Sequence, residues 1–112
     1  GMRNILIRNK ESDIGHIIDN LAYLELLRRG YDVYVGDIDK GEVDFVAIKN
    51  NQTEHYQISA TTLNPDTLAR ELAPLQSVQD NYPKYLLTLD ELFGEANYNG
   101  IQKKNLIKWL LE

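Results

Sequence analysis

The chain has no cysteine, one methionine and one tryptophan. Without cysteine there can be neither a disulfide framework nor a thiolate metal site. No apolar run approaches the ~18 residues needed to cross a bilayer. Nothing reads as a signal peptide, so no membrane association is expected and the expected location is the cytoplasm. Basic residues are also scarce, with 12 Lys and Arg against 17 Asp and Glu and a net charge of −5. A surface that holds DNA mainly through its phosphates is usually basic, so the balance argues against strong, unaided DNA binding. What is present is ordinary for a globular chain: 112 residues, 43% hydrophobic and 26% charged. That length supports one core, so residues 1–112 are read as a single domain. Gly1 ahead of Met2 reads as a residue left by tag removal, or as the native start of a segment inside a longer protein.

Helical spacing is clearest near the start. Ile14, Ile17, Ile18, Leu21, Leu24 and Leu27 repeat at three- and four-residue intervals. Ser12 or Asp13 suits the N-cap, Arg28 and Arg29 the last turn, and Gly30 the left-handed cap. These signals predict a helix over 13–29, after a short apolar segment at Ile5–Ile7. Strands are predicted at Tyr31–Val35, Val43–Ile48 and His55–Ala60, the last two forming a hairpin around Asn50-Asn51. Asn64-Pro65 opens a second helix, which Pro74 ends or kinks. Tyr85–Leu89 is a fourth strand, Asp90–Gly100 reads mostly as loop, and Asn105 caps a last helix with Leu106, Ile107, Trp109 and Leu110. The order implies an α/β fold, a mixed sheet flanked by helices.

Asp44 interrupts an apolar strand, and a carboxylate there is costly unless it is paired, hydrogen-bonded or bound to a cation. With a two-residue turn Asp44 lies opposite Gln57; with a four-residue loop it lies opposite Ser59. Either register puts Asp44, Gln57 and Ser59 on one face. On the helix, Glu25 falls within the apolar stripe and Asp19 on its flank, so Glu25 is expected to be the more buried and Asp19 the more accessible. A helix acid with a strand acid can hold a hard divalent cation such as Mg²⁺, which activates water and neutralises a phosphate under attack. Glu25 reads rather as the ion-pair partner of Arg28 or Arg29. His16 and His55 read as surface or capping residues. Lys103, Lys104 and Lys108 read as a small basic patch at a solvated helix end, with Trp109 to Leu111 packing into the core.

Gly15-x-x-x-Asp19 followed by Leu27-Arg28-Arg29-Gly30-Tyr31 resembles the helical motif of PD-(D/E)XK nucleases of the Holliday-junction-resolvase branch, which carries Glu where this chain has Asp19. Glu42-Val43-Asp44-Phe45-Val46 resembles the strand with the central Asp, and Tyr56-Gln57-Ile58-Ser59 occupies the place of the acid-x-Lys strand. With Asp80-Asn81-Tyr82-Pro83-Lys84-Tyr85, the chain is similar along nearly its whole length to a C-terminal domain of prokaryotic AAA-type ATPases. The resemblance implies a bacterial restriction-endonuclease-like fold and an ATPase region upstream in the same protein. It implies Mg or Mn as cofactor at Asp19, Asp44 and Gln57, with Glu25 as an alternative ligand, and DNA as a partner. A homo-oligomer is a further expectation. Against catalysis, Gln57 replaces the second acid and Ser59 the lysine, and losing one such electrostatic stabiliser typically costs ~10²–10³ in rate. Lys49 or Lys84 would have to supply the missing cation. No Gly-x-x-x-x-Gly-Lys-Ser/Thr loop is present. A catalytically degenerate nuclease-fold module is therefore the expected function, with an active metal-dependent DNA endonuclease as the alternative.

Overall fold

Two asparagines set the geometry of the hairpin. Asn50 and Asn51 take φ of 53° and 64°, the left-handed pair of a two-residue turn that matches strand twist. Lys49 then pairs with Gln52, and Phe45 with Tyr56. This is the register that brings Asp44 beside Gln57.

The computed structural model describes residues 13–37, 40–92 and 95–112. The segment Ile5–Ile7 and a cap at Ser12 lie outside the described residues. Helix α1 spans Asp13–Arg28, followed by β1 (Asp32–Val35), β2 (Phe45–Lys49) and β3 (Gln52–Ser59). Helix α2 (Pro65–Ser77), β4 (Lys84–Thr88), β5 (Ala96–Tyr98), β6 (Ile101–Asn105) and α3 (Leu106–Leu110) complete the order. The six strands form one sheet in the order β1-β2-β3-β4-β6-β5. Strands β1, β2 and β3 are antiparallel neighbours, β4 is parallel to both β3 and β6, and β5 returns antiparallel to β6. This is an α/β domain, a six-stranded mixed sheet flanked by helices.

Local chemistry explains the ends. Gly30 takes φ of 91° after α1, and Tyr31 N donates to Leu26 O at 3.0 Å, so the helix closes through a left-handed glycine. Asn64 caps α2 by accepting from Asp66 N at 2.8 Å, and Asn105 caps α3 by accepting from Lys108 N at 3.1 Å. Pro74 neither ends nor divides α2, which runs on to Ser77. One backbone hydrogen bond is forfeited there, while Leu72 and Leu75 on either side are buried and hold the last turn in place. The stretch expected to be loop contains β5, and β6 was not expected: Ile101-Gln102-Lys103-Lys104-Asn105 is mostly polar and carries little strand propensity.

The sheet divides two cores. On one face, α1 and α3 bury Ile18, Ala22, Leu26, Leu106 and Trp109 against Phe45, Ala47, Tyr56, Ile58 and Leu87. On the other, α2 buries Leu72 and Leu75 against Leu86 and Ile101. Asp19 lies on the sheet-facing side of α1 and is 1% exposed, which reverses the expectation that it is more accessible than Glu25. The predicted apolar stripe is also displaced. Of its six members only Ile18 is buried, while Ile14, Ile17, Leu21, Leu24 and Leu27 are exposed. Small residues, Gly15 and Ala22, let the other side of the helix approach the sheet.

Candidate functional site

Asp44 sits just before β2 and is fully buried. Gly36 N donates to its carbonyl at 2.9 Å. A Cβ on Gly36 would stand 1.8 Å from Val43 O, so only glycine allows that approach. On the other side, Asp44 N donates to Gln57 Oε1 at 2.9 Å, and Asp44 Oδ2 accepts from Ile58 N at 2.9 Å. The carboxylate thus ends the β2–β3 ladder by satisfying a backbone donor, and burial makes that bond valuable.

Gln57 is occupied at both ends. Its carbonyl oxygen takes Asp44 N, and its amide donates to Glu71 Oε1 on α2 at 3.0 Å. Strand pairing puts Gln57, Leu86 and Lys103 on the α2 face. Asp19 belongs to the helix that packs on the opposite face. Ser59 donates to Thr61 O at 3.0 Å, a local turn bond. Glu25 accepts from Arg28 at 2.8 Å and 2.5 Å and from Arg29 at 2.6 Å. Hydrogen bonds from Arg28 and Arg29, with their charge, outweigh the opposing effect of burial and hold the Glu25 carboxyl down at about 2. Arg29 also donates to Trp109 O and lies 4.4 Å over the Trp109 ring. Arg29, held by Glu25, therefore fastens the end of α1 to α3. Among the described residues, no three His, Cys, Asp or Glu side chains come together to hold a metal. Gln57 Oε1 and Asp44 Oδ2 each already accept a backbone N–H, so a hard cation there would have to share both oxygens with the fold.

The structure reveals a polar cluster that the sequence did not suggest. Asp90, beyond the end of β4, is 5% exposed, and Lys103 on β6 is 1% exposed. Lys103 Nζ reaches Asp90 Oδ2 at 2.9 Å. The same carboxylate accepts from Thr61 Oγ1 at 2.5 Å, Thr62 N at 2.9 Å and Thr62 Oγ1 at 3.3 Å. Burial pushes the Asp90 carboxyl up. Bonds from Thr61, Thr62 and Lys103, with the ammonium charge, prevail and hold it at about 2. Lys103 is thus no part of a solvated basic patch. The pairing is not legible in the sequence, because Asp90 follows β4 in a polar stretch and the polar strand β6 is what carries Lys103 to it. Burial alternates along β6 at Ile101, Lys103 and Asn105, but the polar sequence carries no apolar alternation that would show it.

His55 is likewise buried rather than superficial, at 7% exposure. Its Nε2 lies 3.0 Å from Asp80 Oδ2, and Lys84 Nζ donates to Asp80 Oδ1 at 2.9 Å. Burial raises the Asp80 carboxyl, but Lys84, the Tyr82 amide and His55 lower it further, to about 2. Lys84 is thereby spent on a turn. Lys49 bonds Arg29 O at 2.6 Å at the other end of the strand. Both lysines proposed as replacements for the missing cation are therefore engaged elsewhere.

A protein of Haemophilus influenzae, described as uncharacterised, is 33% identical over all 112 residues, and the chain spans 27% of that protein's length. No family model and no solved structure matches the chain. No helix among the described residues is long and apolar enough to cross a membrane.

Proposed function

We propose that the chain is a restriction-endonuclease-like module without catalysis, an interaction domain of a longer AAA-type ATPase, with at most weak DNA association. The observation that carries this reading is the state of Gln57. At the position of the second acid stands an amide whose oxygen and nitrogen both serve the fold. Ser59, in place of the lysine, is turned to its own loop. Further support comes from a relative almost four times as long, which fits a domain working alongside other regions. The net charge of −5 fits a protein partner better than a phosphate backbone.

The test is cleavage of supercoiled plasmid and a branched DNA with Mg²⁺, Mn²⁺ or EDTA, beside Asp44→Asn and a circular dichroism check of folding. The expected result is no cleavage by a folded protein. Metal-dependent cleavage that disappears in Asp44→Asn would overturn the proposal and establish an active endonuclease.

A further inference from the structure

Helix α1 is apolar on two sides, although only one side meets the sheet. Ile14, Ile17, Leu21, Leu24 and Leu27 are between 41% and 56% exposed. The first four follow the alternating three- and four-residue spacing used where two helices pack along a common seam. A contiguous exposed apolar patch marks an interaction surface. Ion-pairing groups close the stripe at its two ends. Asp13 stands at the start of α1, and Arg28 stands at the end, paired with Glu25 through Nε and Nη2 but with its side chain 65% exposed.

We propose that a second copy of the chain covers this stripe, the two α1 helices lying antiparallel about a two-fold axis. This deepens the interaction-module reading by naming a partner. The order of residues selects the arrangement. Antiparallel, Ile17 meets Leu24 of the second copy, Leu21 meets its own counterpart beside the axis, and Ile14 and Leu27 flank the seam on opposite edges. Asp13 then faces Arg28, and each helix dipole opposes the other. A parallel pair would set Asp13 against Asp13 and Arg28 against Arg28. A two-fold contact uses the same patch on both copies, as this stripe allows. The 16-residue helix is ~24 Å long. Half-exposed apolar side chains on both copies, with Asp13, Asn20 and Arg28 at the margin, supply an area of the order of the ~1,000 Å² that marks a specific interface. Interfaces at this low end of the size range are weak or transient, so a dissociation constant of about micromolar or weaker is expected.

Sedimentation equilibrium of the 112-residue chain, up to about a hundredfold above that constant, should give twice the chain mass. Leu21→Glu, at an exposed position, should leave circular dichroism and the thermal transition intact and raise the dissociation constant at least about 100-fold. Leu111→Glu, 81% exposed at the other end of the chain, should leave the dimer intact. Because the chain lacks cysteine, single cysteines read the orientation: Leu21→Cys should oxidise to a cross-linked dimer and Asp13→Cys should not. A monomer at every concentration overturns the proposal and points to another region of the longer protein as the cover. A dimer that survives Leu21→Glu, or one cross-linked through Asp13→Cys, overturns it too. Mass and DNA cleavage are separate readouts, so this proposal and the loss of catalysis can fail independently.

Discussion

Replacing Lys103 with methionine keeps most of the side chain's length and removes its ammonium, with both the charge and the hydrogen bond to Asp90. Asp90 would then lie buried without its ammonium, retaining Thr61 and the two donors of Thr62. Removing one partner of a buried pair costs ~3–5 kcal/mol. The three remaining donors favour the lower end, so about 3 kcal/mol is expected at pH 7. For a chain of this size, that lowers the thermal midpoint by roughly 12 °C. The pH dependence gives an independent check. With a folded value of about 2 against an ordinary 3.8, the ionised Asp90 carboxylate contributes about 2.4 kcal/mol at neutral pH. A depressed carboxyl stabilises above its unfolded value, and that stability is lost as pH falls from about 4 toward 2. The Lys103→Met variant should therefore lose less stability over that interval than the parent. Urea denaturation at pH 7 and pH 3 measures both effects. A change under about 0.5 kcal/mol at pH 7 with an unchanged denaturant slope would refute the reasoning, as would parallel acid limbs.

Two further outcomes follow from the same geometry. Gln57→Glu places a second carboxylate against Glu71 Oε1, now 3.0 Å from the amide, and takes the acceptor bond of Asp44 N to a charged oxygen. The like charges should cost about 1–3 kcal/mol at pH 7 and less at pH 4, measured by urea melts; equal losses at both pH values would exclude charge repulsion. Asn51 at φ 64° should tolerate glycine with little change, whereas Asn51→Ala should cost about 1 kcal/mol. Equal stability of the glycine and alanine variants would remove backbone strain as the reason for asparagine there.

The sequence made the α/β class legible, and with it three of the six strands nearly residue for residue, because β1, β2 and β4 are rich in β-branched and aromatic side chains. It also gave the hairpin register as one of two alternatives, since only the turn length was open. It failed where composition and burial part company. Gly15, Asp19 and Ala22 face the sheet together with Ile18 and Leu26, while Ile14, Ile17, Leu21, Leu24 and Leu27 face outward, so most of the apolar stripe marked the wrong side of α1. Strand β6 carries two lysines that look solvated, but one is paired inside the protein. For the candidate site, the strand spacing put Asp44 beside Gln57. It could not reveal Glu71 or Asp90, because their partners are set by how α2 and β6 cross the sheet.

The clasp between Arg29 and the last helix has a consequence for the order of assembly. Its two residues are 80 positions apart, whereas β2 and β3 are joined by two residues and β1 and β2 by nine. Distant contacts bear the larger loop-closure cost. The three strands β1, β2 and β3 are therefore expected to organise before the junction of α1 with α3. Interactions formed after the transition state govern how fast a protein opens rather than how fast it folds. The salt-bridged arginine and the tryptophan beneath it thus act on the lifetime of the native fold.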